Sequence, residues 1–155
     1  MSQTSQPNPT GALALADGSV FVGQGCGASG IAIGELCFNT AMTGHQEILS
    51  DPSYAGQVVC FTFPAVGMIS RAPLTPPANY RATESFGEWL RTRGIISLTG
   101  VDTRALTRRI RDHGMPMCAV AHDPAGNIDI EDLKASARAA ATMEGRELAA
   151  AVTRE

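Results

Sequence analysis

The sequence lacks the closely spaced cysteine and histidine pairs from which structural zinc sites are built. Its four cysteines are far apart and include no CxxC pair: Cys26, Cys37, Cys60 and Cys118. A free cysteine behaves as a small hydrophobic residue, so we expect buried, reduced thiols rather than disulfides or metal ligands. We therefore predict no metal site in this chain.

An excess of positive charge and long apolar runs are also missing. The net charge is −3, so the chain as a whole has no electrostatic attraction to nucleic acids or anionic lipids. No apolar run is long enough to span a membrane. The first residues, MSQTSQPNP, lack the basic and apolar regions of a secretory signal, and we expect residues 1–10 to form a disordered leader. These features predict a cytoplasmic protein without nucleic-acid or membrane partners.

The motifs of a catalytic nucleophile are absent as well. Neither Gly-x-Ser-x-Gly nor Gly-x-Cys-x-Gly occurs, and such an elbow is what presents the nucleophile in many hydrolases. Cys26 lies between two glycines but outside any predicted strand-to-helix turn, so a Cys26–His45 pair is only an alternative. Glu47 and Asp51 form a candidate carboxylate pair, although on a capped turn carboxylates more often accept backbone amides. We therefore assign no catalytic residue.

Most of the chemically particular side chains fall between Gly34 and Gln57, GELCFNTAMTGHQEILSDPSYAGQ. Leu36–Phe38 predicts a buried strand, and Thr43 with Gln46 predicts a capping box that begins a short helix. The helix ends before Pro52, because a residue that precedes proline is pushed out of the helical region. Two alternatives follow: the exposed amides, hydroxyls and imidazole bind a polar ligand or a protein, or they satisfy each other in a well-capped connection.

Turn signals predict the first half of the fold. The Asp17-Gly18 dipeptide stands between two apolar runs and predicts a hairpin with a type I′ turn, which needs positive φ at both central residues. Four glycines then crowd one segment: Gly23, Gly25, Gly27 and Gly30. Their spacing is similar to that of a phosphate-binding loop, but no helix follows them, so we assign them to strand turns or bulges.

In the second half, strands and helices alternate. Residues 58–63 are almost continuously apolar, which predicts a buried strand with parallel neighbours. Ser85, with Glu88 in capping-box position, begins one predicted helix, Asp102 or Thr103 caps the next, and Asp129 lies near the cap of a helix over residues 130–142. Prolines between residues 68 and 81 predict a loop. The order predicts one α/β domain with a mixed sheet.

The predicted helix after Asp102 carries three arginines on one side, Arg104, Arg108 and Arg111. Clustered guanidinium groups can dock carboxylates or phosphates. A solvated helix face is the other interpretation of the same pattern, and the residues alone leave both open.

The motifs taken together resemble a known family. GELCFNTAMTGHQEILSDPSYAGQ is similar to the most recognisable block of the small (glutaminase) chain of carbamoyl-phosphate synthase. The same order continues in ALALADGSVFVGQGCGASG, FTFPAVG, NYRA, GIISLTGVDTRALTRRIRDHG and MEGRELAAAVT. The resemblance implies that residues 11–155 are the N-terminal domain of that chain, a layered β/β/α swivelling-type domain with a mixed sheet. It also implies that the C-terminal class I glutamine amidotransferase domain is absent from these residues.

The resemblance implies a division of labour. Glutamine is hydrolysed in the small chain, and the ammonia passes to the large subunit, which combines it with bicarbonate for pyrimidine and arginine biosynthesis. ATP and Mg belong to the large subunit, so no cofactor is expected in this chain. The nucleophile belongs to the amidotransferase domain. The serine of the DPSY motif, Ser53, is implied to bind L-glutamine. The implied partners are the large subunit and the amidotransferase domain.

The chain departs from the family pattern at two places. His45 stands where the family commonly has tyrosine. After FPAVG, an extended polar loop and another strand are expected, and residues 68–73 are the only remnant of that strand. A genuine loss would leave one sheet edge uncovered. Two alternatives therefore remain: a stand-alone, non-catalytic binding or scaffold module, and an independent cysteine hydrolase that uses Cys26.

Overall fold

The computed structural model describes residues 8–40, 45–61, 69–76 and 83–142. In these ranges the strands are β1 (Gly11–Leu15), β2 (Val20–Gly27), β3 (Gly30–Asn39), β4 (Gln57–Phe61), β5 (Ile96–Thr99) and β6 (Met117–His122). The helices are α1 (His45–Ser50), α2 (Phe86–Thr92), α3 (Thr103–His113) and α4 (Ile130–Ala139), with a 3-10 turn at Pro52–Tyr54. The Thr43 cap, residues 1–7 of the predicted leader and the segment after residue 142 lie outside the described residues.

The six strands form one mixed sheet in the order β4-β3-β6-β1-β2-β5. Strands β3 and β4 are parallel, with Leu36 opposite Val58, and the other neighbouring pairs are antiparallel. The predicted mixed sheet is therefore confirmed. The parallel partner of β4 also confirms the interpretation of its continuous apolar run, since strands of that kind are buried on both faces.

A short segment joins the two outer strands of this sheet. Ile69 forms parallel bridges with Cys60 of β4 and with Leu98 of β5. Its carbonyl accepts the N–H of Phe61 at 3.0 Å, and the N–H of Ser70 donates to the Leu98 carbonyl at 2.8 Å. The sequence predicts a loop here with only a remnant of a strand, and that remnant is enough to pair with both edges. The sheet thus curls until its two edges meet across Ile69.

Side chains pack on both faces of the sheet because residues alternate along each strand. The largest cluster lies on one face and includes Leu13 and Leu15 of β1 together with Leu106 and Ile110 of α3. On the opposite face, α4 packs against alanines of β1 and β6, with Leu133 at the centre of the contact. Helices thus cover both faces of a curled sheet, and the predicted layered α/β fold is confirmed.

The first hairpin forms where it was predicted, but with another turn. Of the two central turn residues, only Gly18 has positive φ, at 90°, whereas a type I′ turn needs positive φ at Asp17 as well. The Leu15 carbonyl accepts the Gly18 N–H, and the Leu15 N–H donates to Ser19, both at 2.9 Å. The type I′ prediction was therefore wrong. The Asp17 carboxylate accepts the Ser19 N–H at 2.8 Å and the Arg109 Nε–H at 2.7 Å, and these bonds hold a longer turn.

Helix capping follows the predictions more closely. The Ser85 hydroxyl accepts the Glu88 N–H at 3.2 Å, and Asp102 and Asp129 each accept two amides of the helix that follows. The Glu88 carboxylate pairs with Arg91, so the box at α2 is only half formed. Helix α4 ends at Ala139, three residues before its predicted end.

The glycines of β2 lie against neighbouring backbone. A Cβ built on Gly23 would lie 2.4 Å from the Thr99 carbonyl oxygen, and one on Gly27 would lie 2.3 Å from that of Ile95. Real Cβ atoms do not approach oxygen that closely. These glycines therefore permit close strand contacts. They belong to a sheet rather than to a phosphate-binding loop, as predicted, although their role is close packing rather than turns or bulges.

Candidate functional site

Ser53 lies on the connection between the two parallel strands. This connection runs from the end of β3 through α1 and the 3-10 turn to β4. Parallel strands need such a crossover, because the chain must return to the starting end of the sheet. Ser53 is exposed at the middle of the turn, where a molecule or a second domain can reach its hydroxyl.

Asp51 holds this turn from its N-terminal side. Its carboxylate accepts the N–H of Ser53 at 2.9 Å, and its carbonyl accepts the N–H of Tyr54 at 3.0 Å. Hydrogen bonding by the backbone N–H and the hydroxyl of Ser53 lowers the pKa of the Asp51 carboxyl. The carboxylate therefore acts as a backbone acceptor, as predicted for it, while Glu47 is exposed on α1.

Tyr54 holds the turn from the other side. Its ring packs against a buried cluster of Cys37, Val59 and Phe61. Its hydroxyl accepts a hydrogen bond from the Asn39 side-chain amide at 2.9 Å, which ties the turn to the end of β3. Sequence reasoning missed this bond, and the only signals for it were an amide at a strand end and a tyrosine in the DPSY motif.

The two alternatives for this polar segment each describe part of it. Asn39 and Asp51 are held by internal hydrogen bonds, as expected for a well-capped connection. Ser53 is exposed, as expected for a rim that meets a ligand. Thr43 and the side chains of His45 and Gln46 lie outside the described residues. The internal bonds thus fix the turn, and Ser53 is the group that it presents.

The cysteines have the buried character that the sequence predicted. Cys37, Cys60 and Cys118 are buried, and desolvation raises the pKa of Cys60 to about 12. Desolvation also raises the pKa of the half-buried Cys26 to about 11. Since the thiolate is the nucleophile, a protonated Cys26 near neutral pH counts against the cysteine-hydrolase alternative.

Within residues 8–40, 45–61, 69–76 and 83–142, no group of three or more His, Cys, Asp or Glu side chains is placed to hold a metal ion. None of the helices in these ranges has the length and apolar character that crossing a membrane requires.

A cavity of about 410 Å³ lies away from Ser53, between the β2–β3 turn, the end of β6 and the start of α4. Its polar groups include His122, Asp123 and Asp129. Asp123 accepts the N–H groups of Ala125 and Asn127, and Asp129 caps α4. These two carboxylates stabilise the surrounding loops.

Comparison with known proteins identifies relatives over nearly the whole chain. The family model described as carbamoyl-phosphate synthase small chain, CPSase domain, matches residues 13–74 and 65–120. The carbamoyl phosphate synthase small chain of Maricaulis maris is 66% identical, and the match covers 99% of this chain and 45% of that protein. The small chains of Rhizobium meliloti and Caulobacter vibrioides are both 50% identical, and the matches cover 94% and 96% of this chain, respectively. The chain spans less than half the length of these relatives.

The alignment also bears on the short segment after FPAVG. The match with the Maricaulis protein extends over 176 positions against 155 residues here, so at least 21 positions of the alignment have no counterpart in this chain. The family model matches in two pieces that overlap at residues 65–74, which is where the sequence departs from the family pattern. The motifs on either side of this break keep their order and their match with the family model. The chain belongs to the carbamoyl-phosphate synthase small-chain family, whose CPSase domain it matches.

Proposed function

We propose that this chain is the N-terminal domain of a cytoplasmic carbamoyl-phosphate synthase small chain that docks onto the large chain and supports glutamine hydrolysis. The observation that carries the proposal is the family match, which includes a relative 66% identical over 99% of the chain. In the proposed reaction, an amidotransferase domain hydrolyses glutamine to glutamate and ammonia. The large chain then combines ammonia with bicarbonate at the expense of ATP.

The domain itself breaks no bond in this proposal. Its contribution to the glutamine site is the Ser53 hydroxyl, which can donate one hydrogen bond and accept others. The Asp51 and Tyr54 anchors hold the turn. A group that is already in position loses little freedom when substrate binds. Ser53 would therefore contact the amino-acid end of glutamine without rearrangement of the turn.

Association with the large chain tests the proposed function. The purified chain is mixed with the large synthase chain of its own source at low salt, and the mass of the mixture is measured by light scattering. We expect a complex with one copy of each chain, because a docking domain binds its partner whether or not the reaction takes place. Two separate species would contradict the proposal and favour the scaffold alternative.

Replacement of Ser53 tests the proposed glutamine contact. In the assembled synthase, Ser53→Ala is expected to raise the KM for glutamine about tenfold or more, since a hydrogen bond to a charged group contributes about 1.5–3 kcal/mol. Synthesis from added ammonia should keep its rate, because that reaction bypasses glutamine. Ser50→Ala removes another exposed serine of the same connection and serves as the control. An unchanged KM in the Ser53 variant would refute the contact.

A further inference from the structure

Helix α3 has three differently engaged sides. Its buried side carries Leu106 and Ile110, which pack into the main cluster. One flank is held by Arg109, whose Nε donates to Asp17 at 2.7 Å. The other flank carries three exposed residues, which we call the arginine stripe: Arg104, Arg108 and Arg111. At about 100° per residue, these three positions fall within about 60° of each other around the helix.

In the described residues, other arginines form ion pairs and those of the stripe do not. Within the part of the chain that the structure describes, the arginines that form ion pairs are Arg91, Arg93 and Arg109. Like charges at i,i+3 and i,i+4 spacing repel each other and destabilise a helix. The chain as a whole is acidic, with a net charge of −3, so the stripe is a local concentration of positive charge. A carboxylate-bearing partner would remove this repulsion.

One end of the stripe is held in place by an aromatic ring. The Arg111 guanidinium lies 5.4 Å from the centroid of the Phe38 ring, within cation–π range. Phe38 is itself packed against the main cluster. A side chain that is already ordered loses less conformational entropy on binding. This contact distinguishes the stripe from a freely solvated helix face.

The stripe and the candidate glutamine site are connected through the end of β3. Phe38 immediately precedes Asn39, and the Asn39 amide donates to the Tyr54 hydroxyl of the Ser53 turn. Successive residues of a strand point to opposite faces, so Phe38 and Asn39 link Arg111 and the Ser53 turn through the backbone of β3. Docking and the glutamine site would share one structural support.

We propose that the arginine stripe is the docking surface for an acidic face of the large synthase chain. Guanidinium groups bind carboxylates through two parallel hydrogen bonds, which gives orientation as well as attraction. The inference rests on the proposed function and adds to it the location and the chemistry of the interface. Complementary charge of this kind acts mainly on the association rate and on its dependence on salt.

Carboxylates suit the stripe better than the backbone of a nucleic acid. The three arginines extend over only about 10 Å of helix. Two aspartates bracket them, Asp102 at the cap and the exposed Asp112 near the end. A long phosphate backbone would pass over both carboxylates, whereas an acidic patch of protein can match the three charges alone.

The test compares two sets of arginine substitutions. The stripe variant carries Arg104→Gln, Arg108→Gln and Arg111→Gln. The control carries Arg91→Gln and Arg93→Gln, which remove two ion-paired arginines at the C-terminal end of α2. The Kd for the large chain is measured at 50 and 300 mM salt. We expect the stripe variant to bind about 10- to 30-fold more weakly at low salt and to lose most of the salt dependence. The control should bind within about threefold of the unsubstituted chain.

Each outcome decides between the two proposals. If the unsubstituted chain does not bind, both are overturned. If it binds and the stripe variant binds equally well, only the stripe proposal is overturned. An equal loss in both variants would also overturn it, because the effect would then be one of total charge. Thermal unfolding checks the fold, and single Arg108→Gln provides a second variant if the triple does not fold. Stripe-dependent binding to a 30-bp DNA duplex would assign the surface to nucleic acid instead.

Discussion

Replacing Ile69 by alanine lowers the free energy of unfolding by about 2–5 kcal/mol, the range for truncation of a fully buried aliphatic side chain. Ile69 is 0% exposed, lies in the main cluster and bridges Cys60 and Leu98 at the two sheet edges. Truncation leaves a cavity where the edges meet, and the neighbouring strands can close it only in part. Urea denaturation followed by circular dichroism gives the free energy and its urea dependence.

The matched control for this position is Ile69→Val. It keeps a β-branched side chain and removes one methylene group, so a loss of about 0.5–1.5 kcal/mol is expected. A loss below about 1 kcal/mol in the alanine variant would contradict the proposed role of Ile69. The two sheet edges would then be held by the backbone hydrogen bonds of Ile69 and Ser70, without a contribution from the Ile69 side chain.

Replacing Gly27 by alanine is expected to destabilise the protein by about 2–5 kcal/mol, from two causes that add. Gly27 has φ of 80°, and a left-handed conformation costs an L-residue about 1–2 kcal/mol. The added Cβ would also lie 2.3 Å from the Ile95 carbonyl oxygen, and relief of such overpacking costs about 1–3 kcal/mol. Because the obstacle is backbone, the strands must separate to admit the methyl group. Urea denaturation measures the loss.

Gly100→Ala separates the two causes. Gly100 has nearly the same φ, 79°, but nothing lies within 4 Å of its Cβ position. Only the conformational strain is therefore expected, about 1–2 kcal/mol. The difference between the variants measures the close approach of Gly27 to Ile95. Equal losses would show that this approach is absent and that the β2 glycines serve only local turns.

Local chemistry was enough to predict most elements of the fold. Ser85, Asp102 and Asp129 begin helices because their side-chain oxygens satisfy amides within the next three residues, an interaction that a short window of sequence contains. The hairpin at Asp17-Gly18 was placed correctly for the same reason. The turn type was predicted wrongly, because Asp17 is also held by a hydrogen bond from Arg109, which is 92 residues away along the chain.

At the candidate site, too, the sequence predicted the local motifs but not the contacts between distant parts of the chain. The DPSY motif by itself predicted an exposed serine on a proline turn that ends a short helix, and it pointed to the family. The Asn39–Tyr54 hydrogen bond was not predictable, since its partners belong to a strand and a turn that meet only in the folded chain. The Arg109 flank and the arginine-stripe flank of α3 also looked alike in sequence, because Asp17 pairs with Arg109 only after the hairpin packs beside the helix.

The sequence by itself determined the family, the alternation of strands and helices, the helix caps and the buried state of the cysteines, because each depends on short motifs or on hydrophobic patterning. Only the tertiary structure decided how the sheet ends. Cys60, Ile69 and Leu98 are brought together across 38 residues of chain, and no local pattern specifies such pairing. Buried backbone N–H and C=O groups at both sheet edges need hydrogen-bond partners, and this need selects the pairing. Ile69 and Ser70 provide these partners.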